Sequence, residues 1–214
     1  SIIDEPKVPE LRQLAAAMNT MVGRLKSIFE EEAARLESVR REANCDSLTG
    51  LANRSHFLAR LHQALEAEDS RGIGLILVRV ADLAGINRRL GRDATDDLLR
   101  RFAAVLQTET EQQADSLVAR LNGADFALVV MGQAGIRPLA ERLLPHLVQE
   151  AAPYVGDGPA ACIGLGVFPR GIEMSAVLSQ VDAALAAAEA DGGNVIRETG
   201  NAIGEDAPKS ADEW

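Results

Sequence analysis

The 214 residues carry 22 Lys and Arg against 32 Asp and Glu, a formal net charge of −10, and 47% of them are apolar. That balance describes a folded chain rather than a disordered one. It excludes a nucleic-acid binder or a polybasic membrane patch, because both draw their affinity from Lys and Arg. Aromatics are only 3%, so the core has to be built from Leu, Val, Ile and Ala.

The first predicted element is a helix from Glu10 to Asn44. Leu11, Leu14, Met18, Met21, Leu25 and Ile28 recur at steps of three and four, a heptad seam. Phe29, Leu36 and Ala43 continue at sevens, but Met18 to Phe29 spans eleven residues, a stutter that locally unwinds a supercoil. The second half is highly charged and has little to bury alone, so a parallel partner helix is expected. The alternative is one helix folded back on the domain. Asp46–Asn53 breaks the helix.

Helix is predicted over Arg54–Ala67, a buried strand over Ile73–Val80 and helix over Ala94–Leu106. Ser116–Leu121 and Phe126–Met131 read as a hairpin closed by Asn122-Gly123. Ile136–Glu150 follows as a helix with Pro145 as a kink point, then a loop over Pro153–Pro159. A strand over Ala160–Phe168, an Ala-rich helix over Ser175–Ala190 ended by Gly192-Gly193, and a short edge strand at Val195-Ile196 complete the order. Thr199–Trp214 reads as a polar tail. The order strand, two helices, hairpin, helix, strand, helix gives an α/β domain with a mixed sheet and flanking helices. Cys45 and Cys162 have no metal-ligand spacing and read as unlinked thiols, and His56, His62 and His146 form no ligand set. No stretch reaches the ~18 apolar residues of a membrane span, so a cytosolic location is expected.

Two segments carry a resemblance. Glu10-Leu11, Leu14-Ala15, Ala17, Asn19, Met21 and Leu25 resemble the second helix of a HAMP domain. Asp46-Ser47-Leu48-Thr49-Gly50-Leu51-Ala52-Asn53-Arg54 is similar to the opening motif of GGDEF domains, which are diguanylate cyclases. Asn87, Gly91, Asp96 and Leu99 keep the spacing of that family's next motif. Arg120-Leu121-Asn122-Gly123-Ala124-Asp125-Phe126 occupies the signature hairpin. Cys162-Ile163-Gly164-Leu165-Gly166 resembles its glycine-containing strand, and Asp182, Ala184, Leu185, Ala188 and Asn194 its last helix. The resemblance implies a nucleotide-cyclase-like fold, with residues 1–28 the C-terminal half of a HAMP unit, 29–45 a signalling helix, 46–198 the GGDEF domain and 199–214 a linker toward an EAL domain.

It also implies what an active member needs: two metal-binding acids, phosphate-binding cations and a product-feedback site. The first acid falls at Arg79, eight residues before Asn87, and the second at Ala124. A guanidinium repels a metal ion and a methyl group offers it no lone pair. Asp125 keeps an acid beside Ala124, and strand alternation is expected to turn it to the opposite side. Asp82 is the nearest other acid, off register. The family's cations fall at Ala84, Glu189 and Gly193, and its feedback pair at Gln113 and Ser116. The pair that reads guanine survives as Asn87 and Asp96; without the resemblance they are a helix cap and a first-turn acid. The expectation is a degenerate GGDEF domain with no catalytic residues, no metal and no cofactor.

The arrangement resembles the cytosolic part of LapD-type receptors of the bacterial inner membrane. That likeness implies a homodimer through the N-terminal helix and docking on a downstream EAL domain, which, rather than this chain, binds cyclic di-GMP. In such receptors the signal passes through HAMP to a periplasmic protease and so controls biofilm adhesion. Phe29, at the phase change, is the candidate contact for the docked partner; coiled-coil core is its other reading. A GTP sensor acting on a neighbouring phosphodiesterase and a weakly active cyclase are the remaining alternatives.

Overall fold

The computed structural model describes residues 9–67, 72–111, 113, 115–132 and 135–200, with the side chains of 9–16 left undescribed. Leu11 and Leu14 of the seam, and the tail beyond residue 200 with Trp214, therefore lie outside what is described. The chain divides after Asn44 into two compact units.

The first unit is one unbroken helix, α1 (Pro9–Asn44), which runs through the expected boundary between residues 28 and 29. It carries Met18, Met21, Val22, Leu25, Ile28, Phe29, Leu36 and Val39 with their side chains exposed, Phe29 most of all at 73%. A stripe of this size on one helix, following the heptad and its stutter, is what a helical partner covers.

In the second unit a six-stranded sheet has the order β1-β3-β4-β2-β5-β6. Its strands are β1 (Ala52–Asn53), β2 (Ile73–Val80), β3 (Ser116–Arg120), β4 (Asp125–Met131), β5 (Ala161–Phe168) and β6 (Val195–Glu198). Each of the four central strands is antiparallel to its neighbour among them, and the outer pairs β1/β3 and β5/β6 are parallel. Helices α3 (Leu83–Leu90), α4 (Arg92–Thr110) and α5 (Ile136–Val155) and α2 (Arg54–Glu66) and α6 (Met174–Ala190) complete the unit. Two apolar layers result. Ile76, Val78 and Val80 of β2 share one with Phe102, Phe126 and Leu143. Leu75 and Leu77 share the other with Phe57, Leu61, Val181 and Leu185. β2 is buried on both faces, and this is why it reads as a continuous apolar run.

Several expectations need correction. The four-residue connection between β3 and β4 is Leu121–Ala124, one residue earlier than the expected strand ends place it, with Asn122-Gly123 at its centre. The Asn122 amide oxygen accepts from the Ala124 and Asp125 N–H groups, both at 3.2 Å, so a side chain closes the turn. α5 continues through both Pro145 and Pro153 into the expected loop. Leu139, Leu143, Leu147 and Ala151 are buried along it, and that packing outweighs the backbone bonds the prolines cannot make. α3 is not among the predicted elements, although Leu83, Ile86 and Leu90 give it a short apolar face; the Asp82 carboxylate caps it by accepting from Gly85 N–H at 3.0 Å. Asn194 lies past the end of α6, where its side chain accepts from Ala160 and Ala161 at 2.8 and 3.3 Å and sets the start of β6.

α6 lies against β5 at Gly164, where a Cβ would come within 2.5 Å of Leu185 N and 2.7 Å of Val181 O. Those are helix backbone atoms and cannot step aside as a side chain would. Gly164→Ala is therefore expected to cost about 1–3 kcal/mol in urea unfolding. Gly123→Ala, with nothing within 4 Å of the added Cβ, is the control and should stay within about 0.5 kcal/mol.

Candidate functional site

The site lies where the end of β2, the β3–β4 hairpin and the last turns of α6 meet. In the β2 register Arg79 stands between Asp125 on β4 and Cys162 on β5. It is the one β2 residue that is not buried. Directly paired residues of an antiparallel ladder project to the same face, so Arg79 and Asp125 are neighbours. The guanidinium engages the carboxylate through two bonds, Nε to Oδ1 at 2.7 Å and Nη2 to Oδ2 at 3.1 Å. Its remaining arm, Nη1, donates to Glu189 Oε2 of α6 at 3.0 Å, and Asp182 lies 4.0 Å from Nη2.

This bidentate, partly buried pairing is the strong form of an ion pair. The side chains of Arg79 and Asp125 are 28% and 14% exposed. Burial pushes the Asp125 carboxyl up, but the bonds from Arg79 and Asn122 outweigh it and hold the acid below its ordinary range. The Arg79 guanidinium is correspondingly driven further from deprotonation, chiefly by Asp125. Beneath them the Cys162 thiol is pushed up by burial and then by Glu189, which makes it a poor nucleophile.

A divalent cation does not fit these residues. The carboxylates here are already gathered round the fixed positive charge of Arg79, and adding a metal sets two cations against each other. Among the described residues no three His, Cys, Asp or Glu side chains are placed to hold a metal. Ala124 packs with the layer of Val80 and Phe126, while Asp125 faces the other side of the sheet with Arg79, so the two residues alternate as expected. Asp82 is committed to capping α3.

The other predicted residues lie elsewhere. Asn87 is inside α3 and exposed, so it caps nothing; Thr95 Oγ1 donates to its Oδ1 at 3.4 Å. Asp96 lies beyond the first turn of α4 and pairs with Arg92 at 3.8 Å. Gln113 and Ser116 contact each other, the Ser116 hydroxyl donating to the Gln113 carbonyl at 3.1 Å. Phe29 belongs to the first unit.

Two roles went unread in the sequence. Glu189 was seen only as a lost cation, but it is a ligand of Arg79. The signal in the sequence is the pair of opposite charges, Arg79 and Glu189, at positions where the GGDEF resemblance leads one to expect an acid and a Lys. Arg120 was read only as part of the hairpin motif. Its Nη1 contacts Asp46 Oδ1 at 3.2 Å and its Nη2 donates to the Gly123 carbonyl at 2.9 Å. Asp46 also accepts from the Thr49 N–H and hydroxyl at 2.9 and 2.7 Å. Burial raises the Asp46 carboxyl, and the Thr49 and Arg120 bonds together bring it below its ordinary range.

With this geometry in place, comparison with known proteins is decisive for the family. Residues 43–195 match the family described as diguanylate cyclase, GGDEF domain. The chain belongs to the GGDEF family. It is 27% identical over 186 residues to the diguanylate cyclase TpbB of Pseudomonas aeruginosa, covering 82% of this chain and 42% of TpbB. The coiled coil and GGDEF domain of DgcB from Caulobacter crescentus, solved with c-di-GMP, superposes with a TM-score of 0.70 at 24% identity over 85% of this chain and 99% of that one. The S helix-GGDEF-EAL part of Vibrio cholerae LapD, bound to c-di-GMP, gives 0.68 at 20% identity over 82% of this chain and 42% of that one. These two likenesses establish the expected fold, a long helix followed by a mixed sheet with flanking helices. The chain spans 22% to 61% of the length of the first three curated relatives it matches.

Asp46 and Asp125 both have depressed carboxyls, so the stability they contribute is present above the ordinary carboxylate range and is lost as pH falls through their folded values. The urea midpoint is expected to drop below about pH 4. Asp125→Asn should lower it at neutral pH and flatten that acid limb, the two curves converging toward low pH.

Proposed function

We propose that this GGDEF domain is a non-catalytic relay within cyclic di-GMP signalling, not a working cyclase. The observation that carries the reading is Arg79, a permanent cation at the position where the family places a metal-binding acid, already paired with Asp125 and Glu189. Joining two GTP molecules requires metal ions that neutralise charge on the transferring phosphoryl groups. The acids here are spent on a guanidinium, Ala124 supplies no ligand, and Glu189 repels a triphosphate.

In this reading α1 comprises the C-terminal half of a HAMP unit up to residue 28 and a signalling helix from residue 29. It pairs with a second copy through its exposed stripe. The domain passes a signal between that helix and a downstream EAL domain, which itself binds cyclic di-GMP. The likeness to LapD and to a coiled coil-GGDEF structure supports this organisation, in which the chain is the cytoplasmic part of a bacterial inner-membrane receptor controlling biofilm adhesion through a periplasmic protease. Phe29 is the regulatory contact for the docked EAL domain. The relation to TpbB, a diguanylate cyclase, favours a second reading, a weakly active cyclase. A GTP sensor is the third, resting on Asn87 and Asp96.

Calorimetric titration with GTP and magnesium, followed by a search for cyclic di-GMP in the same cell, is expected to show neither heat nor product. Heat without product favours the sensor, and product overturns the proposal. In sedimentation the chain is expected to run as a dimer, and Leu25→Glu with Ile28→Glu as a monomer; an unchanged mass would count against pairing through α1.

A further inference from the structure

The hairpin is held from both sides by side-chain bonds, and these form a continuous polar path. It begins at Asp46, the second residue after the end of α1, whose carboxylate is fixed by Thr49. Arg120 carries it to the Gly123 carbonyl at the hairpin tip. Within the hairpin the Asn122 side chain binds the Ala124 and Asp125 N–H groups and donates to Asp125 Oδ2 at 2.8 Å. Asp125 passes to Arg79, and Arg79 to Glu189 on α6. The side chains of Asp46, Arg120, Asp125 and Arg79 are between 12% and 28% exposed, so water competes for the Arg120–Asp46 and Arg79–Asp125 bonds far less than for a surface pair, while Glu189, at 52%, holds the path's outer end nearer to solvent.

We propose that this path is a rigid coupling device that joins the segment following α1 to α6, and that Arg79 is the positioning residue that fastens the hairpin to α6. It rests on Arg79 being a structural cation, and it gives that cation a task. A guanidinium tethered to β2 reaches Asp125 through two bonds and Glu189 through one. The hairpin cannot shift toward or away from α6 without separating a bidentate pair, and it cannot leave the Asp46 turn without stripping Arg120. Displacement at one end is therefore felt at the other. Coupling of this kind is a free energy shared between sites and shows as a response at a place the substitution does not touch.

Native-state hydrogen exchange of the whole chain tests it. Arg79→Met removes the charge and keeps a long apolar side chain. Amides of residues 121–125 and 186–192 are expected to exchange about tenfold faster, because local opening no longer separates an ion pair. The deciding region is residues 46–51, which Arg79 does not contact; these should accelerate several-fold, while residues 139–147 of α5 hold their rate. Asp46→Asn should produce the reciprocal response at 186–192. Acceleration confined to the hairpin and α6 overturns the device, and so does uniform acceleration that includes α5. If Arg79→Met does not fold, Arg79→Lys, which keeps the charge and loses the fork, should give a weaker form of the same pattern, and its absence also overturns the device. Product formation by the unmodified chain, in contrast, counts against the non-catalytic reading and not against the coupling.

Discussion

The bond between Arg79 and Asp125 organises the end of this domain. A guanidinium at the rim of a strand buried on both faces is costly to desolvate unless each arm of its fork finds an acceptor. Here the arms find Asp125 on the neighbouring strand and Glu189 on the covering helix. One side chain thereby ties the central strand, the signature hairpin and α6 together. The same contact gathers Asp125, Asp182 and Glu189 round one fixed positive charge.

That arrangement depends on how closely α6 approaches the sheet. Gly164 leaves no Cβ between β5 and the helix backbone at Val181 and Leu185, so the helix settles deep enough for Glu189 to reach Arg79. Asn122 does the equivalent for the hairpin. By accepting from two backbone N–H groups it shapes a four-residue turn that presents Asp125 across from Arg79. A glycine in its place would supply the turn without the extra bond to Asp125. The apolar layers on the two faces of the sheet supply the bulk of the stability, and the polar path sits on top of them as a source of position.

The helical unit obeys different physics. α1 has charged residues around most of its second half and a line of exposed Met, Leu, Ile, Phe and Val along the rest. A helix of this composition gains little as an isolated element, because propensity alone does not cover its ordering entropy. Its stripe changes phase at Ile28 and Phe29, which is where a relay helix has room for two packings of similar free energy.

Most of the fold could be read from the residues alone. β2, α6 and the long N-terminal helix announced themselves through apolar runs and heptad spacing, which report burial directly. The opening Asp46–Arg54 motif and the spacing of Asn87, Gly91 and Asp96 pointed to the family, and Arg79 and Ala124 to a changed site. What escaped was what depends on residues far apart in the chain. α3 is short, and its apolar residues Leu83, Ile86 and Leu90 are too few to stand out without the Asp82 cap. α5 runs through Pro145 and Pro153 because of packing that no local propensity contains. Above all, the residues alone give Arg79 and Glu189 as two separate charges, each departing from what the GGDEF resemblance leads one to expect. That they pair across 110 positions emerges only from the fold. An ion pair is a matter of distance in space, and distance in space is set by the strand register and the seat of α6.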